Sequence, residues 1–220
     1  MRLFKSRKLL AVISALLVLS MAVGLSACKG GKDSNETTSS TEPTTEPSMT
    51  AQELANAIIP AVVKTDMATV MSYSFVDVDK AFEDKISDKG MDRTAVYKDL
   101  TESLGTEINC YTDFLKKQAE IQEDALKIQF GEDYKITYEI IEDNVCTPEE
   151  KEEKILNILA KLEKGGFSSA RYFDPSKAEE FREIDFDYTI EGSKNKQSSA
   201  KIITLCKYDG KWVYGDIEMM

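Results

Sequence analysis

The stretch that decides the fold is IDFDYTIEGSKNKQSSAKIITLCKYDGKWVY, residues 184–214. In residues 184–190 apolar side chains alternate with polar ones, which is the period of a strand with one buried face. Residues 200–208 are apolar on both faces in their middle, which predicts a central strand. Asp209-Gly210 is the two-residue signal of a tight hairpin, so residues 211–218 should return as the last strand. The end of the chain is therefore predicted to be an antiparallel β-meander.

One more strand and one more helix are predicted upstream of this meander. Residues 134–140 alternate apolar and polar side chains with the period of a strand. Thr147 is a predicted N-cap, followed by a proline at the first helical position and a glutamate at the third. Gly165-Gly166 is expected to end this helix in the left-handed conformation. Its apolar side consists of Ile155, Leu156, Ile158, Leu159 and Leu162.

Two connections have a less regular pattern. Residues 192–199 are polar and are predicted to form the turn between the first two strands of the meander. Residues 167–183 show neither the helical nor the strand period. Residues 170–173 are compatible with a short strand that would end before the turn signal Asp174-Pro175.

The residues before the first strand have the period of α-helices. Thr50 and Glu53 form a capping-box pattern that opens the first helix, and a later helix should end at Gly90. Residues 92–130 carry the longest helical stripe of the chain. As one helix they would be about 58 Å long, which exceeds the width of a small domain. We therefore predict an interruption near Gly105.

This order of elements predicts an α+β fold. Helices come first, followed by a strand, a helix and an antiparallel meander, so the N-terminal helices are expected to pack on a curved antiparallel β-sheet. By length, residues 50–220 are expected to form this globular α+β domain as a single unit.

The first residues have the pattern of an export signal. A basic start is followed by an apolar run, Leu9 to Gly24, and then by Leu25-Ser26-Ala27-Cys28. This last motif resembles the lipobox of bacterial lipoproteins. The resemblance implies a signal peptide at residues 1–27, a membrane lipid attached to Cys28, and a location on the outer face of the bacterial cell membrane. Residues 28–49 would be the lipidated cysteine and a disordered Ser/Thr/Pro/Glu tether.

Charge and residue usage exclude several classes of function. The chain has 28 basic and 39 acidic residues; residues 1–27 hold four of the bases and no acid, which leaves 24 against 39, a net charge of −15. Such an acidic chain is not expected to bind nucleic acid. The chain contains no histidine, which removes Ser-His-Asp and Cys-His nucleophiles and histidine-ligated zinc.

The cysteines and acidic clusters give no site on their own. Cys110, Cys146 and Cys206 can form at most one disulfide within the chain, in three alternative pairings. We expect them to be small buried hydrophobic residues. Asp185 and Asp187 share one face of a strand, but they lack the loop spacing of a calcium site.

A second resemblance concerns the globular part. The segment Lys64-Thr65-Asp66-Met67, which reads as a turn and a second N-cap, and the hairpin Lys207 to Val213 are similar to nuclear-transport-factor-two-like (cystatin-like) domains. In that family the sheet and helices often enclose a pocket. Some members are isomerases or dehydratases, and many are binding modules. No catalytic residue of the enzymatic members matches a position of this chain.

Together these observations predict a lipid-anchored extracytoplasmic binding or interaction domain, with no evident catalysis, cofactor or metal. Its partner would be an unknown protein, a peptide or a small ligand. Two alternatives stay open: a small pocket enzyme that uses a carboxylate and a tyrosine, and a structural or regulatory subunit of a membrane complex. The candidate ligand or partner contacts are Tyr138, Tyr188, Trp212 and Tyr214.

Overall fold

The structure is a computed structural model, and it describes residues 49–215. The predicted signal peptide, Cys28, the predicted tether up to residue 48, and residues 216–220 lie outside the described residues. The helices are α1 (Ala51–Lys64), α2 (Met67–Ser72), α3 (Val78–Asp88), α4 (Arg93–Leu104), α5 (Tyr111–Phe130), α6 (Pro148–Lys164) and α7 (Ser169–Tyr172). The strands are β1 (Lys135–Val145), β2 (Ala178–Glu191), β3 (Lys196–Tyr208) and β4 (Lys211–Tyr214), and a 3₁₀ turn (Pro175–Lys177) precedes β2.

The predicted α+β fold is confirmed: the helices pack against a four-stranded antiparallel sheet. The strands lie in the order β1-β2-β3-β4, so each strand pairs with the next one along the chain. β3 lies between β2 and β4, as its apolar middle predicted. The register slips once in β1, between Ile140 and Glu142, where Ile141 is the extra residue of a bulge.

The predicted helix ends are found where their capping residues place them. The Thr50 hydroxyl accepts a hydrogen bond from the Glu53 N–H at 3.2 Å, and the Thr50 N–H donates one to the Glu53 carboxylate at 2.7 Å. The same reciprocal box opens α6 at Thr147. The long stripe is interrupted as predicted: α4 ends at Leu104, and Gly105 follows with φ of 64°.

Several expectations were wrong in detail. Residues 170–173 are not a strand, because residues 169–172 form the helix α7. The turn after β2 is shorter than predicted, because β3 already pairs with β2 at Lys196. Gly166, not Gly165, takes the left-handed conformation, with φ of 79°. Leu156 is 59% exposed and Ile202 is 53% exposed, so neither belongs to the core.

The two faces of the sheet are covered differently. On the first face Leu54, Ile58 and Ile59 of α1 pack against the apolar residues of β2 and β3, and all three are 0% exposed. They fill the space in which the second resemblance implied a pocket. On the other face, Ile158 and Leu162 of α6 cover one end of the sheet, around Phe181 and Cys206.

A third cluster lies away from the sheet, among the helices. It is formed by α2 to α5 and includes Phe82, Tyr97, Leu100 and Leu115. Within residues 49–215, no helix is both long enough and apolar enough to cross a membrane.

The three cysteines of the globular part are free thiols. Cys206 is 0% exposed, and Cys110 and Cys146 are half-buried. Burial raises the pKa of Cys206 from 9.0 to about 12 and the pKa of Cys146 to about 11. The expectation of small buried hydrophobic residues therefore holds fully for Cys206 only.

The raised pKa of Cys206 predicts a loss of stability in alkali. Above its ordinary pKa of 9.0 the unfolded thiol loses its proton while the buried one keeps it, so the unfolded state binds fewer protons. The free energy of unfolding should then fall by at most about 1.4 kcal/mol per pH unit for this group. Urea unfolding from about pH 8 to about pH 10 measures the slope, which should be shallower in Cys206→Ala. An equal slope in the variant and the unchanged protein would contradict this assignment.

Candidate functional site

The four aromatic residues predicted as contacts lie on one face of the sheet. Tyr138 is paired with Tyr188 across β1 and β2, and both lie on the face that α1 covers. Trp212 and Tyr214 of β4 are paired with Lys207 and Leu205 on the same face. The structure therefore brings the four residues to one side of the sheet, where they belong to the core cluster that α1 shares with the strands.

Each of these aromatic residues has a partner inside the protein. Tyr214 is only 8% exposed, and its backbone N–H donates to the Tyr73 carbonyl at 2.8 Å. The Tyr138 hydroxyl donates to the Asn56 side chain at 3.2 Å, which ties β1 to α1.

The other two aromatic rings lie beside cations. The Lys201 ammonium is 5.8 Å from the centre of the Tyr188 ring. The Arg182 guanidinium is 5.5 Å from the Trp212 ring. These contacts assign the rings a packing role at the edges of the first face.

A cleft of about 620 Å³ lies between α2 and α5. At one end of it the Tyr134 hydroxyl donates to a Glu123 carboxylate oxygen at 2.6 Å, and the Lys64 ammonium donates to the same oxygen at 3.2 Å. The bond from Tyr134 lowers the pKa of Glu123, and partial burial raises the pKa of Tyr134. Sequence analysis missed this carboxylate–tyrosine pair, because nothing in the helical stripe of α5 distinguishes Glu123 from its solvated neighbours.

The polar groups of this cleft are mostly engaged within the protein. Asp66 accepts hydrogen bonds from both the backbone and the hydroxyl of Thr69, at 3.1 and 2.6 Å. Thr112 is bound to Asp79, and Glu120 forms an ion pair with Lys117 at 2.7 Å. The cleft therefore offers few groups to a ligand, and its hydrogen bonds tie α5 to Lys64 of α1 and to Asp79 of α3.

Within residues 49–215, no element covers the second face of the sheet beyond the end that α6 occupies. Two adjacent rows of this open face place carboxylates directly opposite each other: Glu139 faces Asp187, and Glu142 faces Asp185. On β3 these rows continue with Ala200 and Ile202, which are both exposed. We call these six residues the acidic sheet face.

Two ion pairs of the described residues lie at the borders of the acidic sheet face. Lys154 of α6 is paired with Glu183 at the covered end, and Lys196 is paired with Glu191 at the other end, at 2.8 Å. Among residues 49–215, no ion pair joins a Lys or Arg side chain to the four facing carboxylates. Like charges directly opposite each other in a sheet repel and destabilise it, so the two facing pairs are expected to lower the stability of the sheet.

Within the same described residues, no group of three or more His, Cys, Asp or Glu side chains is arranged to hold a metal ion.

The alternation of Asp185 and Asp187 was visible in the sequence. The sequence did not show that Glu139 and Glu142 of β1 would face these two residues, because that depends on the register in which β1 and β2 pair.

A scan against protein-family models, a search of curated proteins and a search of solved structures each found nothing that matches this chain.

The acidic sheet face leads to a prediction about stability. Replacing one facing pair, Glu139→Gln with Asp187→Asn, should raise the free energy of unfolding by about 0.5–1 kcal/mol, because it removes a like-charge cross-strand pair. Chemical denaturation at low salt measures the change. The control is Glu152→Gln with Glu153→Gln on α6, which removes the same charge from exposed residues that face no other strand. A stabilisation no larger than that of the control would contradict the repulsion.

Proposed function

We propose that this protein is a non-catalytic interaction domain, held on the outer face of a bacterial membrane by a lipid on Cys28. Residues 29–49 serve as the tether, and the acidic sheet face docks a cationic segment of a partner protein. The observation that carries the proposal is the pair of facing carboxylate rows, Glu139 with Asp187 and Glu142 with Asp185, on an uncovered sheet face.

The repulsion within the acidic sheet face favours a cationic occupant. Four carboxylates that repel one another in the free protein would each gain from a neighbouring lysine or arginine. A surface that costs stability when it is unoccupied is typical of functional sites. Two cations at its borders, Lys154 and Lys196, are paired with Glu183 and Glu191, which favours a compensating charge from another molecule.

The spacing of the rows favours a helical segment. Successive rows on one face of a strand are about 6.6 Å apart, and residues i and i+4 of a helix are about 6 Å apart along its axis. A helix with basic side chains at this interval could therefore match both rows. Ile202 and Ala200 lie beside the rows and offer an apolar strip to the same helix. A helix is also the usual cover for a sheet face, and α6 already covers the other end of this one.

The pocket-enzyme alternative is supported less well. It would have to use the pair of Glu123 and Tyr134, and both are already bound to each other and to Lys64. The second resemblance points to a pocket between helix and sheet, where Leu54, Ile58 and their partners fill the space. A subunit that docks on a membrane protein is compatible with the proposal, since such a partner could supply the basic helix.

The docking proposal predicts charge-selective binding of a basic helix. The probe is a fluorescent alanine-based peptide with lysines at i and i+4, and the measurement is fluorescence anisotropy. Affinity should fall roughly tenfold in the Glu139→Gln, Asp187→Asn variant and should also fall with added salt. The charge-matched variant Glu152→Gln, Glu153→Gln should bind nearly as well as the unchanged protein. Equal losses in both variants would indicate general attraction to an acidic protein and would overturn the docking site.

The lipid anchor predicts a specific acylation. Cells grown with an alkyne-tagged fatty acid should incorporate the tag into the unchanged protein and into Cys110→Ser, but not into Cys28→Ser. Two acyl chains on one sulfur-linked glycerol would bury enough CH₂ groups for stable attachment. Equal labelling of Cys28→Ser would refute the anchor without affecting the docking site.

A further inference from the structure

β1 is an open edge of the sheet. The strands lie in the order β1-β2-β3-β4, so within residues 49–215 no strand pairs with the outward side of β1. The opposite edge differs, because the Tyr214 N–H of β4 donates to the Tyr73 carbonyl at 2.8 Å and Ser74 forms a β-bridge with Tyr214. An open edge presents a row of backbone donors and acceptors to which another strand can bond.

The backbone groups that point outward from this edge follow from the pairing of the neighbouring strands. The Gly192 N–H, just past the end of β2, donates to the Asn195 carbonyl at 2.9 Å. Bonding residues alternate along an antiparallel pair, so the even-numbered residues at this end of β2 bond to β3 and the odd-numbered ones bond to β1. Residues 187, 189 and 191 are paired with residues 139, 137 and 135 of β1. The intervening residues of β1 therefore direct their N–H and carbonyl groups away from β2; they are Ile136, Tyr138 and Ile140.

We propose that β1 pairs with β1 of a second copy of this chain, antiparallel, about a twofold axis at Thr137. In this register Ile136 of each copy lies opposite Tyr138 of the other, and their outward N–H and carbonyl groups bond to each other. Both side chains are half-buried on the first face, and an aromatic residue opposite a β-branched one stabilises a strand pair. The two four-stranded sheets would then join into one sheet of eight strands.

The charges on the second face match in the same register. Lys135 and Glu139 are both exposed and lie two residues before and two residues after Thr137. Lys135 of each copy therefore lies opposite Glu139 of the other, and the twofold axis makes two such ion pairs. These are positions without backbone bonds between the copies, where side chains of an antiparallel pair are closest. Because Glu139 also faces Asp187 in its own sheet, the lysine of the second copy would offset part of that repulsion.

The neighbouring registers fit this edge poorly. An axis one residue earlier would set Glu139 against Asp133 of the second copy, which is a like-charge pair. An axis one residue later would set Lys135 against Ile141 of the second copy, at the bulge where the ladder of β1 is irregular. The charges and the bulge thus select one register.

The test is the mass of the full chain, purified in a mild nonionic detergent and followed by sedimentation velocity over a range of concentrations. A reversible dimer is expected, because one pair of strands is a small interface. Lys135→Glu alone and Glu139→Lys alone should each weaken it roughly tenfold, because each turns both symmetric ion pairs into repulsions. The double reversal should return the dissociation constant to within about twofold of the unchanged protein, because the pairs form again with their signs exchanged.

Two controls separate the proposed edge contact from other effects. Lys196→Glu makes the same change beside the same neighbour, because Glu191 is paired with Lys135 on one side and with Lys196 on the other. It lies two strands away from the edge and should leave the dimer unchanged. Ile136→Pro removes an outward N–H, which an edge strand tolerates, and it should weaken the dimer more than Ile136→Ala, which removes the side chain alone.

Three results would each overturn the proposal. The first is a monomer at every concentration. The second is a dimer that responds equally to Lys135→Glu and Lys196→Glu, or that the double reversal does not restore. The third is an equal response to Ile136→Pro and Ile136→Ala.

The pairing of two copies goes beyond the docking of a basic helix and does not rest on it. Sedimentation is measured without a peptide, so its failure would leave the binding experiment on the acidic sheet face unaffected. In the dimer Lys135 of the second copy would reach Glu139, while the other three carboxylates of that face, Asp187, Glu142 and Asp185, would stay open to a basic helix.

Discussion

The packing of α1 on β2 and β3 is the contact on which the rest of the structure depends. Leu54, Ile58 and Ile59 lie against Ile184 and Ile203 in a cluster from which water is excluded. Because strand side chains alternate, this contact decides which residues of every strand point inward. A slip of one residue in β2 would turn Asp185 and Asp187 into the core, so the burial of α1 also protects the register.

The acidic sheet face is a direct consequence of this choice. Once the even-numbered residues of β2 face α1, the odd-numbered ones must share the second face, and the antiparallel register sets Asp187 against Glu139. α6 is too short to cover that whole face and packs only around Phe181 and Cys206. The uncovered rows place like charges opposite each other, whereas the polar groups of the cleft beside Glu123 are mostly paired within the protein.

Local signals predicted most of the elements correctly. The capping boxes at Thr50 and Thr147 and the interruption near Gly105 are found as expected, because each depends on residues within one helical turn. The errors are at segments with weak local preference. Residues 169–172 form a helix, and there the Tyr172 hydroxyl donates a hydrogen bond to the distant Asp84 at 2.5 Å. Polar residues from Lys196 onward extend β3 because β2 already offers them a strand to pair with.

By itself the sequence determined the α+β class, the order of the elements, their caps and breaks, and the acidic, histidine-free chemistry of the surface. These properties follow from short-range sterics, hydrogen bonding and composition, which act within a few residues of each other. Only the tertiary structure decided that the space under α1 is filled, that Glu139 faces Asp187, and that Tyr134 binds Glu123. These pairings join residues from separate elements, and their geometry is fixed only when burial of the shared core selects one register and one packing.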